Sequence, residues 1–288
     1  MIRFCCLIFL AGFCVSLATA QPQPVDTVPL ALQAPGDLAV ETTTVAFAQD
    51  VEPALSFDLY RPVAKSRDAK LGLVVFVSGA NNVRHWRWFQ DLSRLAVADG
   101  FAALVPDKRY PRGWDGLVTG FDDTVRALKY IRDHADELGI DLARVCLWTI
   151  SAGGRLTSAG LQAGDWRPRC LVNYYGLLDL DAELTGVADE ARRTELANRY
   201  SPRHTFAALG ADAPPFYVVR AGRDAAVINN SIDRLGADAL VKNLPLTLVN
   251  LPDRVHGFDA WQHDATSRAA IAATFAFIRA QLNPDAAR

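Results

Sequence analysis

From residue 39 onward, short runs of apolar residues alternate with longer segments whose apolar positions recur at helical spacing. AVETTTVAF (39–47) and ALSFDLYRP (54–62) look like an opening antiparallel pair. LGLVVFVSG (71–79) is a continuous apolar run, as expected for a strand covered on both faces. RWFQDLSRLAVADG (87–100) reads as a helix closed by Gly100, and FAALVPD (101–107) as the next strand. FDDTVRALKYIRDHADELG (121–139) has acidic residues in its first turn and Gly139 at its end, which suits a helix dipole. RVCLWTI (144–150) is a strand, and SAGGRLTSAGLQAG (151–164) opens the following helix. CLVNYYG (170–176), PFYVVRAG (215–222) and LTLVNLP (246–252) are three further strands, with helical segments around 187–208, 227–242 and 264–282. Such alternation predicts an α/β fold: a mainly parallel sheet of about eight strands with helices on both faces. No internal repeat or linker interrupts 38–288, so one domain is expected there.

The first 37 residues follow other rules. Arg3, the apolar stretch FCCLIFLAGFCVSLA and Ala18-Thr19-Ala20 have the order of a signal peptide cleaved before Gln21. The alternative is an uncleaved anchor, although the stretch is short for a membrane span. Residues 21–37, QPQPVDTVPLALQAPGD, are proline-rich and aperiodic and read as a tether or extended arm. The chain is therefore expected to be exported, to the periplasm or beyond, with no membrane span after cleavage. Cys146 and Cys170 remain after cleavage, and free buried thiols are expected because neighbouring parallel strands seldom offer disulfide geometry.

The chain of 288 residues is 50% hydrophobic and 22% charged, with a net charge of −2. No basic run is present to neutralise phosphates, which argues against a nucleic-acid partner. Histidine is scarce and no closely spaced Cys/His set occurs, so no metal site and no cofactor are expected.

Candidate chemistry centres on WTISAGG (148–154). Ser151 falls where a buried strand turns into a helix, which lifts a hydroxyl above the sheet edge beside a helix N-terminus. The tight turn needs small neighbours, and Ala152, Gly153 and Gly154 meet that need; Thr149 stands where a glycine is usual. A helix-capping serine is the plain alternative. A serine hydroxyl needs a base. Of five histidines, His256 in the loop after the last strand is preferred; His85 stays open, while His134, His204 and His263 fall in less suitable places. The imidazole needs an orienting carboxylate. Asp224, in the turn after PFYVVRAG, is favoured over Asp179, which follows CLVNYYG. Two backbone N–H groups must face a developing oxyanion. Ala152 and Ala80 are the candidates, with Gly79 allowing close approach and the Asn81 side chain a possible addition.

FDLYRP (57–62), VVFVSGA (74–80), ISAGG (150–154), YSP (200–202), AGRDAAV (221–227) and VHGF (255–258) together resemble the α/β-hydrolases, on the esterase and dienelactone-hydrolase-like side. The resemblance covers about residues 54–280 and implies the α/β-hydrolase fold and a Ser-Asp-His triad. It departs from the family at Ser78-Gly79, where His-Gly is common, and at Thr149. Dienelactone hydrolases use a cysteine nucleophile, so the serine here implies esterase chemistry on a small-molecule or saccharide ester. Peptidase or amidase chemistry on the same fold, or a non-catalytic binding protein, are the alternatives. Trp86 and Trp88 either line a pocket or pack the first helix; Tyr174 and Tyr175 are candidates for the acyl pocket. Asp107, Lys108 and Arg109 read as a solvated loop.

Overall fold

The computed structural model describes residues 25–63, 70–81, 83–110, 113–163 and 165–283. The signal-peptide reading lies outside these residues. Eight strands form one sheet: β1 (Val40–Ala48), β2 (Leu55–Pro62), β3 (Leu71–Ser78), β4 (Ala102–Pro106), β5 (Ile140–Ile150), β6 (Cys170–Tyr174), β7 (Phe216–Ala221) and β8 (Leu246–Leu251). Their spatial order is β1-β2-β4-β3-β5-β6-β7-β8. β1–β2 and β2–β4 pair antiparallel, and every later pair is parallel.

Central strands are apolar at consecutive positions because both faces are covered. In β3, Leu73, Val75 and Val77 join one buried cluster, while Val74 and Phe76 join the other. The first cluster is closed by Leu117, Phe121 and Leu128 of the helix Gly113–Asp133 and by Ile232 and Leu235 of the helix Ala226–Val241. The second is closed by Phe89 and Leu92 of the helix Arg87–Ala98 and by Ile271, Phe275 and Ile278 of the helix Ala265–Leu282. Parallel connections return each strand to the same edge, so the loops after β3, β4, β5, β6, β7 and β8 gather along one rim.

Several boundaries differ from those read in the sequence. The helix expected at 121–139 begins at Gly113 and breaks at His134 before a short turn of helix, Ala135–Leu138. The segment expected at 187–208 divides into Glu190–Tyr200 and Pro202–Leu209, since Pro202 lacks an N–H and opens a new helix. Residues 26–37 are not a free tether. Val28, Leu30 and Ala31 are buried with Phe89 and Leu92, and the Leu30 N–H donates to Asp91 at 3.1 Å.

The free-thiol expectation is corrected: Cys146 and Cys170 form a disulfide. Register places them directly opposite each other on β5 and β6, on the same face, with Cα atoms 4.7 Å apart. That separation lies inside the range a disulfide spans. A second correction concerns residues 107–109. Asp107 and Lys108 are buried, not solvated. Arg84 bridges Asp58 and Asp107 at 2.9 and 2.8 Å, and Arg109 pairs with Asp123 at 2.7 Å, so these carboxylates are neutralised as they are covered, whereas Lys108 donates to a backbone carbonyl.

Candidate active site

Ser151 follows the last residue of β5 and has φ of 58°, in the left-handed region. A non-glycine residue there costs on the order of 1–3 kcal/mol and persists only where its surroundings impose it. The surroundings are tight. A Cβ on Gly79 would fall 2.2 Å from the Ala152 Cβ, and one on Gly153 would fall 2.6 Å from the Ser78 carbonyl carbon. The backbones after β3 and β5 are therefore nearly in contact, with Gly79 against Ala152 and Gly153 against Ser78. Ala80's N–H donates to the Ser78 hydroxyl at 3.2 Å. Asn81 is exposed at the rim of this loop.

Thr149 replaces the usual first glycine of the turn without strain of its own. It is buried in β5, its hydroxyl lies 2.9 Å from that of Thr157, and it accepts from Asn173 Nδ2 at 2.9 Å. Asn173 in turn accepts the Gly176 N–H at 2.9 Å. A small polar network fills the space that a glycine would leave empty.

The histidine comes from the loop after β8. Gly257, at φ of 73°, turns the chain immediately after it. His256 Nε2 lies 2.7 Å from Ser151 Oγ, and its Nδ1 lies 2.6 Å from Asp224 Oδ2. Asp224 reaches this position because the turn after β7 is tied to the loop after β8. The Gly222 N–H donates to Leu251 O at 2.8 Å and the Arg223 N–H to Arg254 O at 2.9 Å. The Asp224 side chain is 4% exposed and that of His256 is 42% exposed. A buried carboxylate accepting from Nδ1–H leaves the Nε2 lone pair facing the hydroxyl. An imidazole so placed can take the serine's proton and hold the charge.

The competing residues are held elsewhere. Asp179 is gripped by Arg234 and by Arg203 and accepts the Asp181 N–H at 3.0 Å. His204 contacts Asp181 at 2.9 Å, His134 stacks on Tyr130, and His263 contacts the Ala260 carbonyl. His85 is exposed in the segment after the Ala80 loop. Asp179, Asp181 and His204 approach one another, but two arginines already neutralise Asp179.

Tyr174 does not line the site: its ring is fully buried and its hydroxyl meets Thr274 at 2.7 Å inside the core. Tyr175 is also buried, but its ring lies 4.7 Å from that of His256. Trp86 packs edge-on against Phe89 and is half-buried. Trp88 is buried and its indole donates to Asp259 at 3.0 Å.

Three residues near the site were not singled out as site candidates by sequence reasoning. Asp259 is buried behind His256, accepting from Trp88 and from the Tyr175 hydroxyl; burial lifts its carboxyl to about 6. The Tyr110 hydroxyl donates to the Ala152 carbonyl at 3.4 Å. Lys108 donates to the Ala80 carbonyl at 2.7 Å. A usable signal existed for the last two: DKRY directly follows a buried strand, at the same rim as the serine.

The BD-FAE family profile matches residues 57–181. A probable carboxylic ester hydrolase, LipM of Mycobacterium tuberculosis, is 27% identical over 207 residues. That alignment covers 63% of this chain and 47% of LipM, so the chain spans about half the length of the curated relative it matches. A thermophilic esterase, Est2 of Thermogutta terrifontis, superposes with a TM-score of 0.67 at 18% identity, covering 84% of this chain and 92% of that one. Carboxyl esterase 2 of the fungus Tuber melanosporum gives 0.65 at 18% identity, covering 87% and 90%. A thermostable esterase from Pseudomonas putida gives 0.64 at 18% identity, covering 85% and 84%.

Proposed function

We propose that this chain, which folds like esterases of the α/β-hydrolase type, is itself an α/β-hydrolase and hydrolyses carboxylic esters through Ser151, His256 and Asp224. The observation that carries this reading is the 2.7 Å contact between Ser151 Oγ and His256 Nε2, made by a serine at φ of 58°. Ser151 Oγ attacks the ester carbonyl carbon as His256 Nε2 takes its proton. The carbonyl oxygen becomes an oxyanion, received by the N–H groups of Ala152 and of Asn81, the neighbouring Ala80 N–H being engaged by the Ser78 hydroxyl at 3.2 Å. Collapse breaks the bond to the alcohol oxygen, which takes the proton back from His256 and leaves. Water, deprotonated by His256, then attacks the acyl-serine; the acid departs and Ser151 regains its proton. Asp224 holds the imidazole's tautomer and balances its charge. None of these steps requires a cofactor.

The test is hydrolysis of short activated esters by the purified chain. Ser151→Ala is expected to lower kcat by at least about 10³-fold, since most of the acceleration needs the nucleophile. A fluorophosphonate should label the wild type and not the variant. Undiminished turnover in Ser151→Ala overturns the assignment.

We also propose that the protein is exported, with cleavage before Gln21, from Arg3, the apolar stretch and Ala18-Thr19-Ala20 at its start. The Cys146–Cys170 disulfide supports it, because disulfides persist in oxidising compartments. Among the described residues no helix is long and apolar enough to cross a membrane.

A further inference from the structure

We propose that Lys108 is a positioning residue for the oxyanion loop, its buried amine fixing the Ala80 carbonyl so that the loop's N–H groups are aimed before substrate arrives. The proposal rests on the esterase reading above. Sheet order supplies the geometry: β4 lies beside β3, so the residue two places past β4 comes under the loop that ends β3. Lys108 Nζ donates to Ala80 O at 2.7 Å, and the residue is only 4% exposed.

A lysine on a surface keeps its ammonium in water, because a desolvated charge is unfavourable unless it is paired. Here burial depresses the amine to about 7, with Asp107 and Asp123 pulling it back up. Neither carboxylate makes a hydrogen bond to it. Asp107 accepts from Arg84, and Asp123 accepts from Arg109. The Tyr110 ring centroid lies 5.8 Å from the amine. The group that receives the lysine's hydrogen bond is therefore a neutral carbonyl in the active-site loop, not a counter-ion. An ion pair alone gives no reason for the amine to point there.

The consequence for the loop is direct. Ala80 is held at both backbone polar groups, its N–H on the Ser78 hydroxyl and its carbonyl on Lys108. The peptide joining Ala80 to Asn81 is planar, so fixing its carbonyl also fixes the direction of the Asn81 N–H. Donors held in advance pay no reorganisation when the oxyanion forms.

The experiment is steady-state hydrolysis of an activated short-chain ester by wild type, Lys108→Met and Lys108→Gln, with folding checked by circular dichroism. Met fills similar space without a donor; Gln keeps a neutral donor on a shorter arm. Lys108→Met should lower kcat roughly 10- to 100-fold, less than the loss of an oxyanion donor itself, with KM within about threefold. Lys108→Gln should fall between Met and wild type. Wild-type kcat in Lys108→Met, equal losses in both variants, or a loss carried by KM overturns the proposal. Should Lys108→Met not fold, Lys108→Gln decides: a reduced kcat at unchanged KM supports the role, and wild-type kcat or a KM-borne loss refutes it. An inactive wild type that also ignores a fluorophosphonate would instead mark failure of the esterase reading.

Discussion

Asp179 and Asp224 leave neighbouring parallel strands at the same rim, and their partners separate them. Asp224 gives one oxygen to His256 and the other to the Ala225 N–H, at 2.6 and 2.7 Å. Asp179 sits below the usual carboxylate range: burial pushes it up, but the Asp181 N–H and the guanidinium groups of Arg234 and Arg203 hold it down more strongly. Its role is to neutralise arginines in the segment after β6. Asp224→Asn is therefore expected to cut kcat by about 10⁴-fold, as in serine proteases, with the fold intact. Asp179→Asn should leave kcat per folded molecule nearly unchanged while lowering stability by about 1–3 kcal/mol, because charged donors lose their partner. Urea titration beside ester hydrolysis separates the two. The reverse ranking would move the orienting acid to the segment after β6.

At the level of the strand, β5 carries the serine on its end, and its penultimate residue breaks the expected glycine pattern. Restoring the pattern is not expected to improve the protein. Thr149→Gly removes a hydroxyl that Asn173 and Thr157 both contact in a fully buried site. It also loosens a strand interior, where glycine is disfavoured. We expect a loss of about 2–3 kcal/mol in unfolding free energy, from the bared polar groups and the backbone entropy together. Turnover should stay within severalfold, since Ser151 keeps its imposed φ through Gly79 and Gly153. Thermal or urea melts measure the first and ester turnover the second. A stabilised Thr149→Gly would show that the threonine is merely tolerated.

Across the whole molecule, Asp259 joins parts far apart in the chain. Its carbonyl accepts the Ala31 N–H at 2.6 Å, and its carboxylate accepts from Trp88 of the helix Arg87–Ala98 and from Tyr175 after β6. The N-terminal arm, a surface helix and the histidine loop are thereby tied together. Burial raises the Asp259 carboxyl from 3.8 to about 6. A folded value above the unfolded one means that the unfolded chain releases its proton first. The contribution of the protonated group is thus complete below about pH 4 and lost as pH rises through 6, amounting to about 3 kcal/mol. Asp259→Asn cannot titrate. The stability difference between wild type and Asp259→Asn should therefore shrink by roughly that amount between pH 4 and 7 in urea unfolding. A difference independent of pH would mean that the carboxyl is not the buried group inferred here.

Alternation of apolar runs was enough to read all eight strands: the inner ones are buried on both faces and apolar throughout, while the half-exposed edge strands β1 and β8 are marked by their β-branched residues. The candidate serine, aspartate and histidine were legible for a related reason. Each ends or follows a strand at one rim, and small residues mark the turns that bring it there. Helix ends were less legible at Gly113, where Leu117 extends the buried face of Phe121 beyond the expected start, and at Ser201, where Pro202 opens a new helix inside a run read as one. What only the tertiary structure decided depends on which strands are neighbours. Cys146 meets Cys170 because register sets them opposite; Tyr174 faces the core while Tyr175 backs His256; Lys108 is buried because β4 inserts between β2 and β3. Pairwise distance across a sheet is not written in any local stretch of sequence, since strands distant along the chain become adjacent only through crossovers. The sequence alone therefore determined the layered sheet and the rim where its chemistry-bearing residues gather. The fold decided which of those residues touch, and which charges are buried with a carbonyl in place of a counter-ion.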